Sequence, residues 1–410
     1  ANFYNSWMNT EAANAKGIDP LAADLKSINA ATSKSELAVA LGHLLATGVG
    51  TFFGIDVDTD LNNPERYTTF FYQSGIGLPD EAYYREPQFE EVLAKYRTFV
   101  PSFLQLAYGW SEDVASTKAA MVLDLEKAIA GTHMNVVDSR DTDKTNNPMS
   151  WDAFVAATPG FPWSATMTAA GFSSEKLTDV IVLNPEALAK SAQIWENTPL
   201  EHLKAYSRWR VLRSRATFLT EAIDKASFDF YGRVLSGATE QRDRWKRGVQ
   251  LVNSSLGEAI GKIYVERHFP PEHKAKMTVL VEDLLEAYRQ SIRALDWMGE
   301  ETKLRALEKV DSFVTKIGYP EKWLDYSSLK IGDDLVENVR QINRFEFKRG
   351  IAKLGKPMDR SEWFMSPQTV NAYYNPGLNE IVFPAAILQP PFFDAEGDDD
   401  ADNYGGIGAV

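Results

Sequence analysis

Cysteine is absent from all 410 residues of this chain. That one fact excludes disulfides, thiol nucleophiles, thiolate zinc sites and iron–sulfur clusters together. Long apolar runs are missing too, since nothing approaches the ~18 consecutive apolar residues of a membrane span. The opening Ala1-Asn2-Phe3-Tyr4-Asn5 has neither a basic stretch nor an apolar core, so any signal peptide or anchor is expected outside this chain. Positive charge is short: 43 Lys and Arg face 57 Asp and Glu, a net charge of −14. That balance argues against nucleic acid and anionic membrane surfaces as partners. Histidine is scarce, at five residues. No two of His43, His133, His202, His268 and His273 form H-x-x-x-H, the spacing that sets two imidazoles on one helical face. Each therefore reads first as a surface or hydrogen-bonded structural residue, and no G-x-S-x-G elbow offers a nucleophile instead.

What is present is a large apolar fraction, 44%, enough to bury a core in two or more lobes. Helical periodicity dominates. Phe89, Val92, Leu93, Tyr96, Phe99, Phe103 and Leu106 recur at spacings of three and four between Glu86 and Tyr108,. Met121, Leu125 and Ile129 do the same before Gly131, and Met277, Leu280, Leu284, Tyr288 and Ile292 follow the Pro270-Pro271 pair,. A last stripe of Leu304, Leu307, Val310, Val314 and Ile317 predicts a helix from Glu301 to Ile317. Residues 56–65, 138–149 and 158–164 read as irregular connections. Asp56, Asp58 and Asp60 imitate the start of a calcium loop, but the glycine and closing glutamate such a loop needs are missing. Near Lys356-Pro357 the stripes give way to β-branched, Tyr and Pro residues. The expected organisation is a predominantly helical lobe over 1–355 and the start of a second, mixed α/β lobe over 356–410.

The tail is the most specific segment. Val370-Asn371-Ala372-Tyr373-Tyr374 and Glu380-Ile381-Val382-Phe383 flank Asn375-Pro376-Gly377, which reads as a β-hairpin,. Pro384-Ala385-Ala386-Ile387-Leu388-Gln389-Pro390-Pro391-Phe392-Phe393 follows, then an acidic run (Asp394, Glu396, Asp398 to Asp400, Asp402) read as a solvated loop, then Asn403-Tyr404-Gly405-Gly406-Ile407-Gly408-Ala409-Val410,. This stretch closely resembles the substrate-binding edge strand of the neprilysin family of zinc metallopeptidases. Earlier segments resemble the family in the same order: Phe3-Tyr4-Asn5-Ser6-Trp7-Met8, Gln73-Ser74-Gly75-Ile76-Gly77-Leu78-Pro79-Asp80, Gly261-Lys262-Ile263-Tyr264-Val265, and Ile317-Gly318-Tyr319-Pro320. Trp7 stands where disulfide-bonded relatives carry cysteine, which points to a bacterial member, cytoplasmic or exported.

The resemblance implies a mainly α fold, a large helical lobe joined to the first part of a thermolysin-like α/β catalytic lobe. It implies a zinc metalloendopeptidase that hydrolyses internal bonds of oligopeptides on the amino side of hydrophobic residues. It also implies that the Zn2+ ligands lie C-terminal to Val410, so this chain alone is expected to be inactive and to need a complementary C-terminal polypeptide. By the same resemblance Asn371 and Ala372 bind the substrate main chain, while Ile387, Phe392, Ala409 and Val410 line the pockets beside the scissile bond. On the residues alone, an edge strand can accept a peptide as an added strand, but Asn371 satisfying nearby loop backbone is an equal reading. The rival from another class is a non-catalytic peptide-binding or scaffold domain.

Overall fold

The computed structural model describes residues 1–397 and 399–410; Asp398, one of the acidic run, lies outside the described residues. The chain divides into two compact units, Ala1–Gly248 with Leu329–Met358, and Val249–Ser328 with Asp359–Val410. The lobe boundary placed near Lys356-Pro357 thus adjoins the last of three crossings. Residues 249–328, grouped with the helical lobe from sequence, go with the second unit.

The first unit is built on long helices. Glu90–Tyr108 buries Leu93, Tyr96, Val100 and Phe103, the stripe its periodicity requires, and ends at Gly109, whose φ of 65° closes the helix in the left-handed region,. Glu112–Ala130 starts under Ser111, which accepts the Val114 N–H, with Glu112 and Asp113 against the positive end of the helix dipole,. Leu200–Arg215 packs against it and is polar in composition yet central. Its polar groups are satisfied inside: Lys204 Nζ donates to the Asn29 and Ala31 carbonyls, both at 3.0 Å. Arg215 donates to Asp24 at 3.1 Å and to the Thr47 carbonyl at 2.8 Å. Arg340, on the returning helix Leu335–Lys353, donates to both oxygens of the same Asp24 at 2.9 and 3.0 Å.

Trp7 forms a non-covalent tie with the segment that starts at Arg244. Its Nε1 donates to the Arg244 carbonyl at 2.9 Å, and Arg244 Nε and Nη2 donate back to the Trp7 carbonyl at 2.9 and 2.6 Å. The guanidinium groups of Arg244 and Arg247 lie 4.4 and 5.2 Å from the ring centroid, within cation–π range.

Beside its helices the first unit carries a four-stranded sheet. Strands β1 (Phe53–Asp60), β2 (Asn63–Gln73), β3 (Pro148–Ser150) and β4 (Asp179–Val182) are ordered β1-β2-β4-β3. Residues 56–65, read as irregular, are mostly a hairpin whose register runs from Phe53↔Gln73 to Thr59↔Tyr67. Phe53, Ile55, Val57 and Thr59 do alternate, but the interleaved aspartates and Pro64 mask the period of two. Asp60 is buried, accepting the Asn62 N–H at 2.8 Å and an ion pair from Arg66 at 2.7 Å. The Phe161-Pro162-Trp163 connection drives its rings into the core, with Trp163 4.7 Å from Phe53 and 4.8 Å from Phe154.

The second unit carries helices Gly257–His268, Pro271–Ala294 and Glu300–Asp311 and a sheet of β5 (Val314–Gly318), β6 (Tyr373–Asn375) and β7 (Glu380–Pro384), ordered β5-β7-β6. The helix predicted to Ile317 stops at Asp311, and Val314 to Gly318 form β5 instead. The apolar spacing fits both states, and pairing with β7 decides it: β5 and β7 run parallel from Val314↔Glu380 to Gly318↔Pro384. The core gathers Phe269, Met277, Leu280, Ile317, Phe383 and Phe393. Gly318 needs to be glycine, because its φ is +79° and an added Cβ would lie 2.4 Å from Phe269,. Among the described residues no helix is long and apolar enough to cross a membrane.

Candidate functional site

The β6–β7 hairpin forms the candidate site. Asn375 turns the chain by accepting the Gly377 N–H on its side chain at 3.0 Å and the Leu378 N–H on its carbonyl at 3.3 Å,. Asn379 takes a φ of 49°, which its short amide tolerates,. Its Nδ2 donates to the Lys309 carbonyl at 2.9 Å and Ser312 Oγ at 2.8 Å, tying the turn to the end of the Glu300–Asp311 helix. β6 pairs antiparallel with β7 through Tyr373↔Val382, Tyr374↔Ile381 and Asn375↔Glu380. The strand order leaves its other side at the sheet edge.

The strand is shorter than its sequence predicts, because Val370, Asn371 and Ala372 stand before it rather than in it. In this register Asn371 would face Pro384, which has no N–H to offer a ladder. Asn371 instead donates its N–H to the Thr369 carbonyl at 3.0 Å and accepts the Ala372 N–H on Oδ1 at 2.8 Å. Its side chain is exposed; Ala372 is half-buried against the core.

Behind the opposite face, Ala409 and Val410 join Leu284, Val310, Ile381 and Phe383 along an apolar groove of about 550 Å³. Ile387 is only 6% exposed and belongs to the core rather than to this groove. Phe392 is 39% exposed, and its carbonyl accepts the Ile407 N–H at 2.7 Å. Gly406 permits that approach, since a Cβ there would sit 2.5 Å from the Phe392 carbonyl oxygen; Gly405 has nothing near it. The structure therefore brings Ala409 and Val410 together with β7, and Asn371 with Ala372 at the start of β6, as separate features. Sequence reasoning missed the groove's helical wall. Its signal was there: Leu284, Tyr288 and Ile292 of the Pro271–Ala294 stripe line it, and Leu285 widens that stripe beyond one core face,.

The acidic run is more ordered than a solvated loop. Asp399 caps the short helix Asp400–Gly405 by accepting the Ala401 N–H, and buried Asn403 exchanges hydrogen bonds with the Asp394 backbone at 2.7 and 2.9 Å. Lys276 pairs with Asp400 at 3.0 Å. No three His, Asp or Glu side chains converge as a metal set among the described residues. His133 meets the Ser74 carbonyl at 3.1 Å, with burial pushing its imidazole below the ordinary range. His273 pairs with Glu396 at 3.0 Å. These side chains do not fit a zinc ion, and no step of hydrolysis is assigned to them.

The model of the family described as Peptidase family M13 matches residues 1–320 and again residues 371–410. The chain belongs to peptidase family M13. Among its M13 relatives is a protein named putative zinc metalloproteinase in scaA 5'region from Streptococcus gordonii, 32% identical over 401 residues, covering 97% of this chain and 70% of that protein. Endothelin-converting enzyme 1 of Mus musculus is 30% identical over 88% of this chain and 48% of its own length. Among solved structures, the zinc metalloprotease Zmp1 of Mycobacterium tuberculosis in its open state superposes with a TM-score of 0.94 at 48% identity, over 100% of this chain and 63% of that one. The chain thus spans about half to 70% of the length of these M13 relatives. The mainly α architecture is that of the family.

Proposed function

We propose that this chain supplies the helical lobe and the first part of the catalytic lobe of a zinc metalloendopeptidase acting on internal bonds of oligopeptides, on the amino side of hydrophobic residues. The observation carrying this reading is the sheet-edge position of β6, with Asn371 exposed at its entrance. An extended peptide adds to such an edge as a further strand, main-chain hydrogen bonds giving affinity without sequence preference. The Asn371 carboxamide binds the substrate main chain, and the small Ala372 keeps the approach open. Phe392 and the Ala409-Val410 pair form the apolar wall that selects the residue after the scissile bond, with Ile387 held in the core.

In this reading the Zn2+ ligands belong to polypeptide C-terminal to Val410, which covers the helical wall of the groove formed by Leu284, Tyr288 and Val310. The relatives' greater length and zinc-protease names support that assignment. The test is to combine this chain with a C-terminal polypeptide carrying H-E-x-x-H. Peptidase activity is expected in the mixture and not in either part, and Asn371→Ala is expected to raise KM about tenfold. A monodisperse, cooperatively unfolding 410-residue monomer that gives no activity with the complement would overturn the proposal in favour of a scaffold domain.

A further inference from the structure

The two faces of the β5-β7-β6 sheet are unlike. Ile317, Ile381 and Phe383 point into the apolar core, and by the pairing register Lys316, Glu380, Val382 and Tyr373 share the other face,. Residues 359–372, the segment leading into Asn371, run over that second face. Lys316 and Glu380 are 9% and 1% exposed and pair at 2.6 Å between Nζ and Oε2. Lys316 Nζ also donates to the Glu362 carbonyl at 2.8 Å, so one ammonium links β5, β7 and the segment above them. Nearby the Phe364 N–H donates to the Tyr373 hydroxyl at 3.0 Å, and the Ala386 N–H to the Pro367 carbonyl at 2.9 Å.

Stability does not account for the pair. Glu380 Oε1 is buried with no hydrogen-bond partner, and two charges taken out of water on these terms gain little over apolar side chains of the same volume. What an apolar pair could not do is hold the Glu362 carbonyl at a fixed point. We infer that Lys316 and Glu380 are positioning residues: the pair pins residues 359–372 to the sheet and so sets the angle at which Asn371 and Ala372 meet a peptide. The inference rests on the docking role proposed for Asn371. It goes further by assigning substrate affinity to two side chains that never touch substrate.

The test is the double variant Lys316→Met/Glu380→Leu, which removes both charges at similar volume. Unfolding temperature should hold or rise, while amide exchange across 362–372 accelerates and KM of the full-length enzyme rises about tenfold with kcat little changed. Glu380→Gln keeps an acceptor for Lys316, so it should retain the slow exchange and the KM of the parent. Where the double variant folds poorly, Tyr373→Phe frees the same segment by removing the Phe364 acceptor, and should raise exchange and KM together. Wild-type exchange and KM in the double variant, or faster exchange without a change in KM in either variant, would overturn the inference. Asn371→Ala is measured alongside: unchanged KM there overturns the docking reading, whereas a raised KM there with wild-type KM in the double variant overturns only the positioning role.

Discussion

Glu126 is the residue on which the first unit's buried polar chemistry converges. It is fully buried; its Oε2 accepts the hydroxyls of Tyr84 and Tyr96, both at 2.9 Å, and its Oε1 accepts the Trp209 indole N–H at 3.0 Å. Tyr84 in turn accepts the N–H groups of Gly77 and Leu78 at 3.0 and 3.2 Å. Tyr206 and Arg210 donate to the Gly75 and Ile76 carbonyls at 2.7 and 3.0 Å. The backbone of the Ser74-to-Leu78 run is thereby held by side chains rather than by a strand. Burial raises the Glu126 carboxyl above its ordinary 4.5, and the opposing pull of Arg210, Arg213 and the two phenols does not cancel it,. A raised folded value means that the folded state holds the proton more tightly than the unfolded one. Its contribution is complete below the unfolded value and lost as pH rises through the folded value. The stability of the wild type relative to Glu126→Gln should therefore grow as pH falls from 8 towards about 4.5 and then level off. Urea unfolding of both proteins across that range checks it, and a pH-independent difference would refute it.

At the scale of elements, β5 shows how a single position can decide a strand's end. Gly318 combines a left-handed φ with a ring packed where its Cβ would go. Gly318→Ala should cost about 2–4 kcal/mol, the sum of left-handed strain and overpacking, read as a lowered urea midpoint for the second unit with an unchanged slope. The long helices were legible from sequence because an amphipathic stripe has one physical interpretation over five turns. Pro271 at a helix start and Gly109 at a helix end behave as their backbone freedom dictates,. Gly131, read as a stop, does follow the last residue of its helix, but with φ of −63° rather than in the left-handed region. Short strands were not legible in the same way. Val314 and Ile317 continue a helical spacing by coincidence, and β4 depends on partners at Thr69 to Phe71 more than a hundred residues away. The hairpin turn was readable from Asn375-Pro376-Gly377, yet the strand's true start at Tyr373 depends on Pro384 across the sheet, which no local pattern reports. The Lys316–Glu380 pair was invisible for the same reason: neither residue has a sequence neighbour that marks it.

At the scale of the whole molecule, each unit is made of two stretches of chain, and residues 249–328 of the second interrupt the first. The Leu335–Lys353 helix contributes Val336, Val339 and Ile342 to the first unit's interior together with Arg340. A chain ending at Ser328 should keep the first unit's other helices but leave Asp24 buried with Arg215 alone. Losing one partner of a buried charge cluster costs about 3–5 kcal/mol, so the truncated protein should unfold at markedly lower urea concentration and with reduced cooperativity. Circular dichroism of the two lengths compares them directly. The same arrangement sets a timetable at the ribosome. Asp24 and Arg340 are 316 residues apart, which at roughly 5–20 residues per second is about 15–60 s of elongation. Throughout that interval a nascent chain carries a finished acceptor whose last donor has not been made. Chaperone demand during synthesis should therefore rise when translation slows anywhere before residue 340, the inserted residues 249–328 included.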